Sequence, residues 1–175
     1  ALCFDNDLDN FSIEGRDHSY ECISKAENGE YLIDRKKIQE ISDFIQKGYF
    51  SVTNSKFPEP NLKVSPKLKN KSEFYVQDIL REPLSDSYDL VFCLNFLSYL
   101  NQKGRETALE NICLNLDPGS ILILDSAYQL PPGRLTGRQK EIFGWREELN
   151  DFIAGLEENK FNLRQIKEPN IYEKI

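Results

Sequence analysis

Four polar residues stand directly behind short apolar runs and are the first candidates for chemistry. They are Asp5 after Leu2-Cys3-Phe4, Asp78 after Phe74-Tyr75-Val76-Gln77, Asn95 after Val91-Phe92-Cys93-Leu94, and Asp125 after Ile121 to Leu124. In an open α/β sheet, ligands settle outside the carboxyl ends of the strands, so polar residues placed there face the ligand. An ionised carboxylate is an acceptor with several lone pairs, and it can take both hydroxyls of a ribose diol. Asp5 suits that role; the plain alternative is a loop acid capping a turn. Asn95 can equally satisfy a loop amide. Tyr99 reads either as a half-buried packing residue or as a residue facing a reacting group. His18, the one histidine, stands by Asp17 with only distant cysteines, and no metal site is assigned.

The elements that must position these residues alternate between strand and helix. Leu2 to Phe4 reads as a strand running into the acidic cluster Asp5-Asn6-Asp7-Leu8-Asp9. Asp17 reads as the cap of a helix with Tyr20, Ile23 and Ala26 inward and Gly29 as its stop. Asp34 caps a second helix, with Ile38, Ile41, Phe44 and Ile45 at helical spacing until Gly48. Residues 49–71 carry Pro58, Pro60 and Pro66 among five lysines and predict an irregular β-excursion, not a helix. Its lysines read as a charged solvated edge or as a surface for an acidic peptide added as a strand.

Ser72 to Val76 predicts a strand. The continuous run Tyr88 to Cys93 predicts one buried on both faces. Ala108, Leu109, Ile112, Cys113 and Leu116 mark an amphipathic helix, closed by Asp117-Pro118-Gly119-Ser120 before a second buried strand at Ile121 to Leu124. A long helix carries Ile142, Trp145, Leu149, Phe152, Ile153 and Leu156, its stripe facing the core. Phe161 to Ile166 and Ile171 to Ile175 close the chain as strand, turn and strand. The alternation predicts an α/β domain with a mostly parallel sheet and an antiparallel ending.

Composition narrows the function classes. A chain of 175 residues, 39% hydrophobic, with 11 Phe and 8 Tyr, can bury one sizeable core. A net charge of −7 lacks the basic face a general nucleic-acid binder needs. No apolar run approaches the ~18 residues of a membrane span, so no membrane insertion is expected. Cys93 and Cys113 lie inside apolar runs, as reduced cysteines do, and a cytoplasmic location is expected. The chain has no Met and opens as if a strand were under way, so it reads as a piece of a longer protein.

The run Tyr88-Asp89-Leu90-Val91-Phe92-Cys93-Leu94-Asn95-Phe96-Leu97-Ser98-Tyr99-Leu100, followed by Leu116 to Leu124, resembles strands four and five of class I methyltransferases. It is most similar to the chemotaxis receptor methyltransferase (CheR) family, whose strand reads aspartate, hydrophobic, cysteine, arginine, asparagine. Cys3-Phe4-Asp5-Asn6-Asp7 resembles that family's acidic strand end. Ile23 to Tyr31 resembles its alanine-glycine-tyrosine helix ending, and Tyr49-Phe50 through Phe74 its small β-subdomain. Val76-Gln77-Asp78-Ile79-Leu80 and Ile171-Tyr172-Glu173-Lys174 fall in the matching order.

The resemblance implies a Rossmann-like class I methyltransferase sheet, mostly parallel with an antiparallel last strand. It would be one partial domain over 1–175, lacking its first strand and Gly-rich loop, with a β-subdomain inserted at 49–71. It implies S-adenosyl-L-methionine as cofactor and protein-glutamate O-methylation as activity in the full-length form. The methyl acceptor would be an acidic receptor or another protein segment. Asp5 would hold the ribose; Asp78 and Ile79 would flank the adenine. Leu94 and Asn95 would face the methionine part, and Tyr99 would lie near the transferred methyl. A glutamate carboxylate is already ionised at neutral pH, so alignment and not deprotonation is the site's work. Leu94 stands where the family has arginine and Ser120 where it has glycine; Asp125-Ser126-Ala127 replaces histidine-serine-glutamate. These departures keep two alternatives open: a non-catalytic binding or sensor module, and a class I methyltransferase with another substrate.

Overall fold

A computed structural model describes residues 10–53, 60–94, 96–124, 152–153, 158–167 and 171–175. The expected strand at Leu2 to Phe4 lies outside these residues, as does most of the predicted Trp145 helix. The chain divides into two units, 1–78 and 79–175.

In the first unit, β1 (Ile13–Asp17) pairs in parallel with β5 (Ser72–Val76), setting Gly15 beside Phe74 and Asp17 beside Val76. A side chain at position 15 would not fit, because a Cβ there would lie 2.6 Å from the Phe74 ring. After β1 comes α1 (Tyr20–Asn28), packed on both strands of the pair. Its cap is Ser19, whose hydroxyl accepts the Cys22 N–H; Asp17 instead ends the strand. Gly29 stops the helix in the left-handed conformation at φ 67°, where glycine has no Cβ penalty. Ile23 is buried, but Tyr20, expected inward, is exposed. Among the described residues the helix lies on a two-stranded sheet, and Tyr20 at its first position is left uncovered.

The helical pattern behind Asp34 begins as expected, the Asp34 carboxylate accepting the Lys36 N–H at 2.9 Å. It then splits at Ile41 into α2 (Arg35–Glu40) and α3 (Ser42–Gln46), neither with a buried residue, and ends at Gly48 with φ 73°. Strands lie within the 49–71 stretch, and the sheet they belong to starts before it. β2 (Glu30–Leu32), β3 (Phe50–Thr53) and β4 (Asn61–Val64) form an antiparallel sheet with β4 in the centre. One turn of helix was not expected there: α4 (Pro66–Lys69), with Pro66 at its first position, where the missing N–H costs nothing.

In the second unit the strand order is β6 (Leu90–Cys93), β7 (Ile121–Leu124), β9 (Ile171–Lys174), β8 (Leu163–Lys167). β6 and β7 run parallel, and β9 runs antiparallel to both β7 and β8, which is the predicted closing arrangement. Against the sheet lies α5 (Gln102–Cys113), burying Ala108, Leu109, Ile112 and Cys113. Leu97, Leu109, Leu122, Leu124 and Leu163 are fully buried, each worth about 1.5–3 kcal/mol of transfer free energy. Phe152 and Ile153 are helical and join this core, and α6 (Glu158–Phe161) leads into β8.

A further expectation is corrected. β6 is not buried on both faces: Cys93 is buried, while Leu90 and Phe92 on the other face are 46% and 61% exposed. Val91 and Cys93 pack in the core while Leu90 and Phe92 project from the other face, so the continuous apolar run is covered on one side only.

Candidate functional site

In the first unit, the carboxyl ends of β1 and β5 form one rim. Asp17 is the last residue of β1, and its carbonyl accepts the Gln77 N–H at 2.9 Å, extending the ladder one residue past β5. Asp78 follows directly. Sheet alternation turns Asp17 and Val76 to one face and Arg16, Tyr75 and Gln77 to the other. The Asp17 side chain is 42% exposed. Its Oδ1 accepts the Ser19 N–H at 2.8 Å, and His18 Nδ1 lies 3.4 Å from the same oxygen. Both contacts fall on one oxygen, so the carboxylate retains acceptor capacity on the other. This strand-end acid before a helix was missed in the sequence because Ile13-Glu14-Gly15-Arg16-Asp17 holds a single large apolar residue. The available signal was Asp17 falling just before a capped helix.

On the opposite face, Arg16 Nη1 donates to Gln77 Oε1 at 2.8 Å and Nη2 to Glu14 Oε2 at 2.7 Å. The guanidinium lies 4.9 Å from the centroid of the Tyr75 ring. The Tyr75 hydroxyl donates to Glu73, and that hydrogen bond, with some burial and the nearby acids, holds the phenol above its ordinary pKa.

In the second unit, Leu94 directly follows β6 and is 49% exposed. A 3-10 turn at Leu97–Tyr99 comes next, with Leu97 fully buried and Tyr99 73% exposed. The turn is fastened from beneath by Arg105, a buried residue of α5 whose Nε donates to the Leu97 carbonyl at 3.1 Å. Phe152 lies under the same guanidinium at 5.8 Å. Asn101 caps α5 by accepting the Gly104 N–H at 2.9 Å. Tyr99 is therefore not a packing residue: its backbone is fixed while its ring faces outward. Ile79 is partly buried against the core, and its carbonyl accepts the Asn111 side-chain N–H at 2.7 Å. The Leu84 N–H donates to the Asn111 carbonyl, and Asn115, just past the end of α5, donates its side-chain N–H to the Leu84 carbonyl, so the helix and the turn behind it hold the segment after Asp78.

The expected site residues thus divide three ways. Asp78 stands on the rim of the first unit, and Ile79, Leu94 and Tyr99 belong to the second. Asp5, Asn95 and Asp125 lie outside the described residues. Among the described residues no group of three or more His, Cys, Asp or Glu is placed to hold a metal, and no helix is long and apolar enough to cross a membrane. Buried Cys113 is pushed up to about 11 by desolvation, which leaves it a protonated core residue.

Comparison with known proteins gives one strong finding. The family described as CheR methyltransferase, SAM binding domain, matches residues 2–142. Among curated sequences none matches. Solved structures with similarity include the N-methyltransferase NodS from Bradyrhizobium japonicum WM9 in complex with S-adenosyl-L-homocysteine. It is 16% identical over 62% of this chain and 58% of that one, with a TM-score of 0.42. An O-methyltransferase family 2 protein from Planctomyces limnophilus DSM 3776, in complex with apigenin, is 18% identical over 62% and 36%, TM-score 0.44. Magnesium protoporphyrin IX methyltransferase from Synechocystis PCC 6803, with bound SAM, is 18% identical over 93% and 58%, TM-score 0.37. The chain spans 58% or less of each of these three proteins.

Proposed function

The chain belongs to the CheR methyltransferase family as its SAM-binding domain, with a Rossmann-like class I methyltransferase fold and S-adenosylmethionine as cofactor, and from that premise we propose that the full-length protein is a protein-glutamate O-methyltransferase. The observation that supports the nucleotide end of this reading is the parallel β1/β5 rim, which carries Asp17 at one strand end and Asp78 two residues past the other. The residues fit the group: a strand-end carboxylate with one oxygen uncommitted among the described residues suits a ribose diol.

The cofactor supplies an electrophilic methyl on a sulfonium. What the chain supplies is grip and alignment. Asp17 accepts the ribose hydroxyls, a role that the sequence alone assigns to Asp5, and parallel variants of the two acids separate these assignments. Asp78 bonds the polar edge of the adenine, and Ile79 offers apolar contact. Asn95 orients the methionine end. Tyr99, exposed on its pinned turn, orients the acceptor carboxylate and removes no proton, since that carboxylate is already ionised at neutral pH. The acceptor is an acidic segment of a receptor or another protein, and the chemistry belongs in the cytoplasm.

Transfer of a labelled methyl group from S-adenosylmethionine to glutamate-bearing receptor peptides tests the reading. Base-labile label on glutamate supports it, and label on another atom or a small molecule replaces the substrate assignment. A second reading, a binding module without turnover, is favoured by Leu94. An apolar, half-exposed side chain there gives a cofactor carboxylate no cation. Cofactor binding without transfer to any acceptor would establish it.

A further inference from the structure

The two acids on the nucleoside rim stand on strand ends that one side chain ties together. Arg16 precedes Asp17, and Gln77 precedes Asp78. The Arg16 guanidinium spans the pair, donating to Gln77 on β5's extension and to Glu14 on its own strand. The Tyr75 ring, itself bonded to Glu73, gives the guanidinium plane a surface to lie on. The Arg16 and Glu14 side chains are only 17% and 22% exposed, so water screens these contacts little. A guanidinium is a planar fork with fixed donor directions, unlike the rotatable point charge of lysine. With these contacts beside the backbone ladder, the guanidinium braces the ends of β1 and β5 against each other.

Strand alternation places Arg16 on the face opposite Asp17, so it does not touch a ligand that Asp17 holds. We propose that Arg16 is a positioning residue: through Gln77 it sets the spacing of Asp17 and Asp78 and so the rim's selectivity for a ribose diol over a deoxyribose. This rests on the reading of Asp17 as the ribose acceptor. A displacement of about 1 Å at a site built for oriented hydrogen bonds is costly even when the displaced group makes no contact itself.

The test is calorimetric titration of the full-length protein with S-adenosylhomocysteine and with its 2′-deoxy analogue. The parent protein should prefer the ribose form by about tenfold or more, the worth of one hydrogen bond to a charged group. Arg16→Gln and Gln77→Ala should each cut that preference to about threefold or less, whereas Gln77→Glu, which keeps an acceptor for the guanidinium, should retain it. Gln77→Ala leaves the Arg16–Glu14 pair intact and decides the matter if Arg16→Gln fails to fold. Equal weakening of both ligands, with the preference unchanged, would reduce Arg16 to a purely structural residue and overturn the proposal. A parent protein without any preference would instead remove Asp17 from the ribose, and the proposal with it.

Discussion

Replacing Asp17 by asparagine isolates the charge at the rim with little disturbance to the loop behind it. The Asp17 carboxylate accepts the Ser19 N–H at 2.8 Å, and an asparagine oxygen can keep that contact. What the variant loses is the anionic acceptor for a diol. A hydrogen bond to a charged group contributes about 1.5–3 kcal/mol. With the side chain 42% exposed, solvent competes for it and the low end applies. The expected loss is thus ~1.5 kcal/mol, roughly tenfold in Kd for S-adenosylhomocysteine. Calorimetry on the full-length protein measures it, with the unfolding midpoint as control and Asp5→Ala titrated alongside. Affinity within twofold of the parent at an unchanged midpoint would refute the placement of the ribose at Asp17. A tenfold loss in Asp5→Ala alone would move the ribose to that residue.

Gly15→Ala should lower stability by about 1–3 kcal/mol in a denaturant titration, because the added methyl meets the Phe74 ring. Thiol labelling mapped by mass spectrometry should modify exposed Cys22 quickly and leave Cys113, whose thiol is pushed up to about 11, unmodified until the protein unfolds. Lys160 Nζ donates to Glu106 at 3.2 Å and holds its carboxyl below the ordinary value, so this pair's contribution is present at neutral pH and lost as acid protonates Glu106. In Lys160→Ala, an NMR titration should show the Glu106 midpoint rising. Tyr99→Phe should lower methyl transfer while leaving S-adenosylhomocysteine affinity within about twofold, since the ring projects outward from a turn pinned by Arg105.

Part of the second unit was legible because some of its elements announce themselves locally. Ala108, Leu109, Ile112 and Cys113 recur at helical spacing and are all buried, and Ile121 to Leu124 is an unbroken apolar run that takes the second place in its sheet. The same logic misled at Leu90 to Cys93: an apolar run reports what a strand would bury, but coverage depends on neighbours distant in sequence. β1 was hidden for the opposite reason. Ile13-Glu14-Gly15-Arg16-Asp17 has no strand composition, and it is a strand because β5 pairs with it and Phe74 needs the room at Gly15. The rim acid at Asp17 was therefore read as a helix cap, a role that Ser19 fills. The family resemblance singles out Tyr99; its local sequence does not show that it is exposed on a turn held by the tertiary bond from Arg105 to the Leu97 carbonyl.

A crystal structure of the full-length protein with S-adenosylhomocysteine tests most directly whether the β1/β5 rim grips the nucleoside. The ribose hydroxyls should lie about 2.5–3.0 Å from the Asp17 carboxylate, with the adenine between Asp78 and Ile79. A nucleoside whose diol is held by Asp5, or that is bound away from the ends of β1 and β5, would contradict the account.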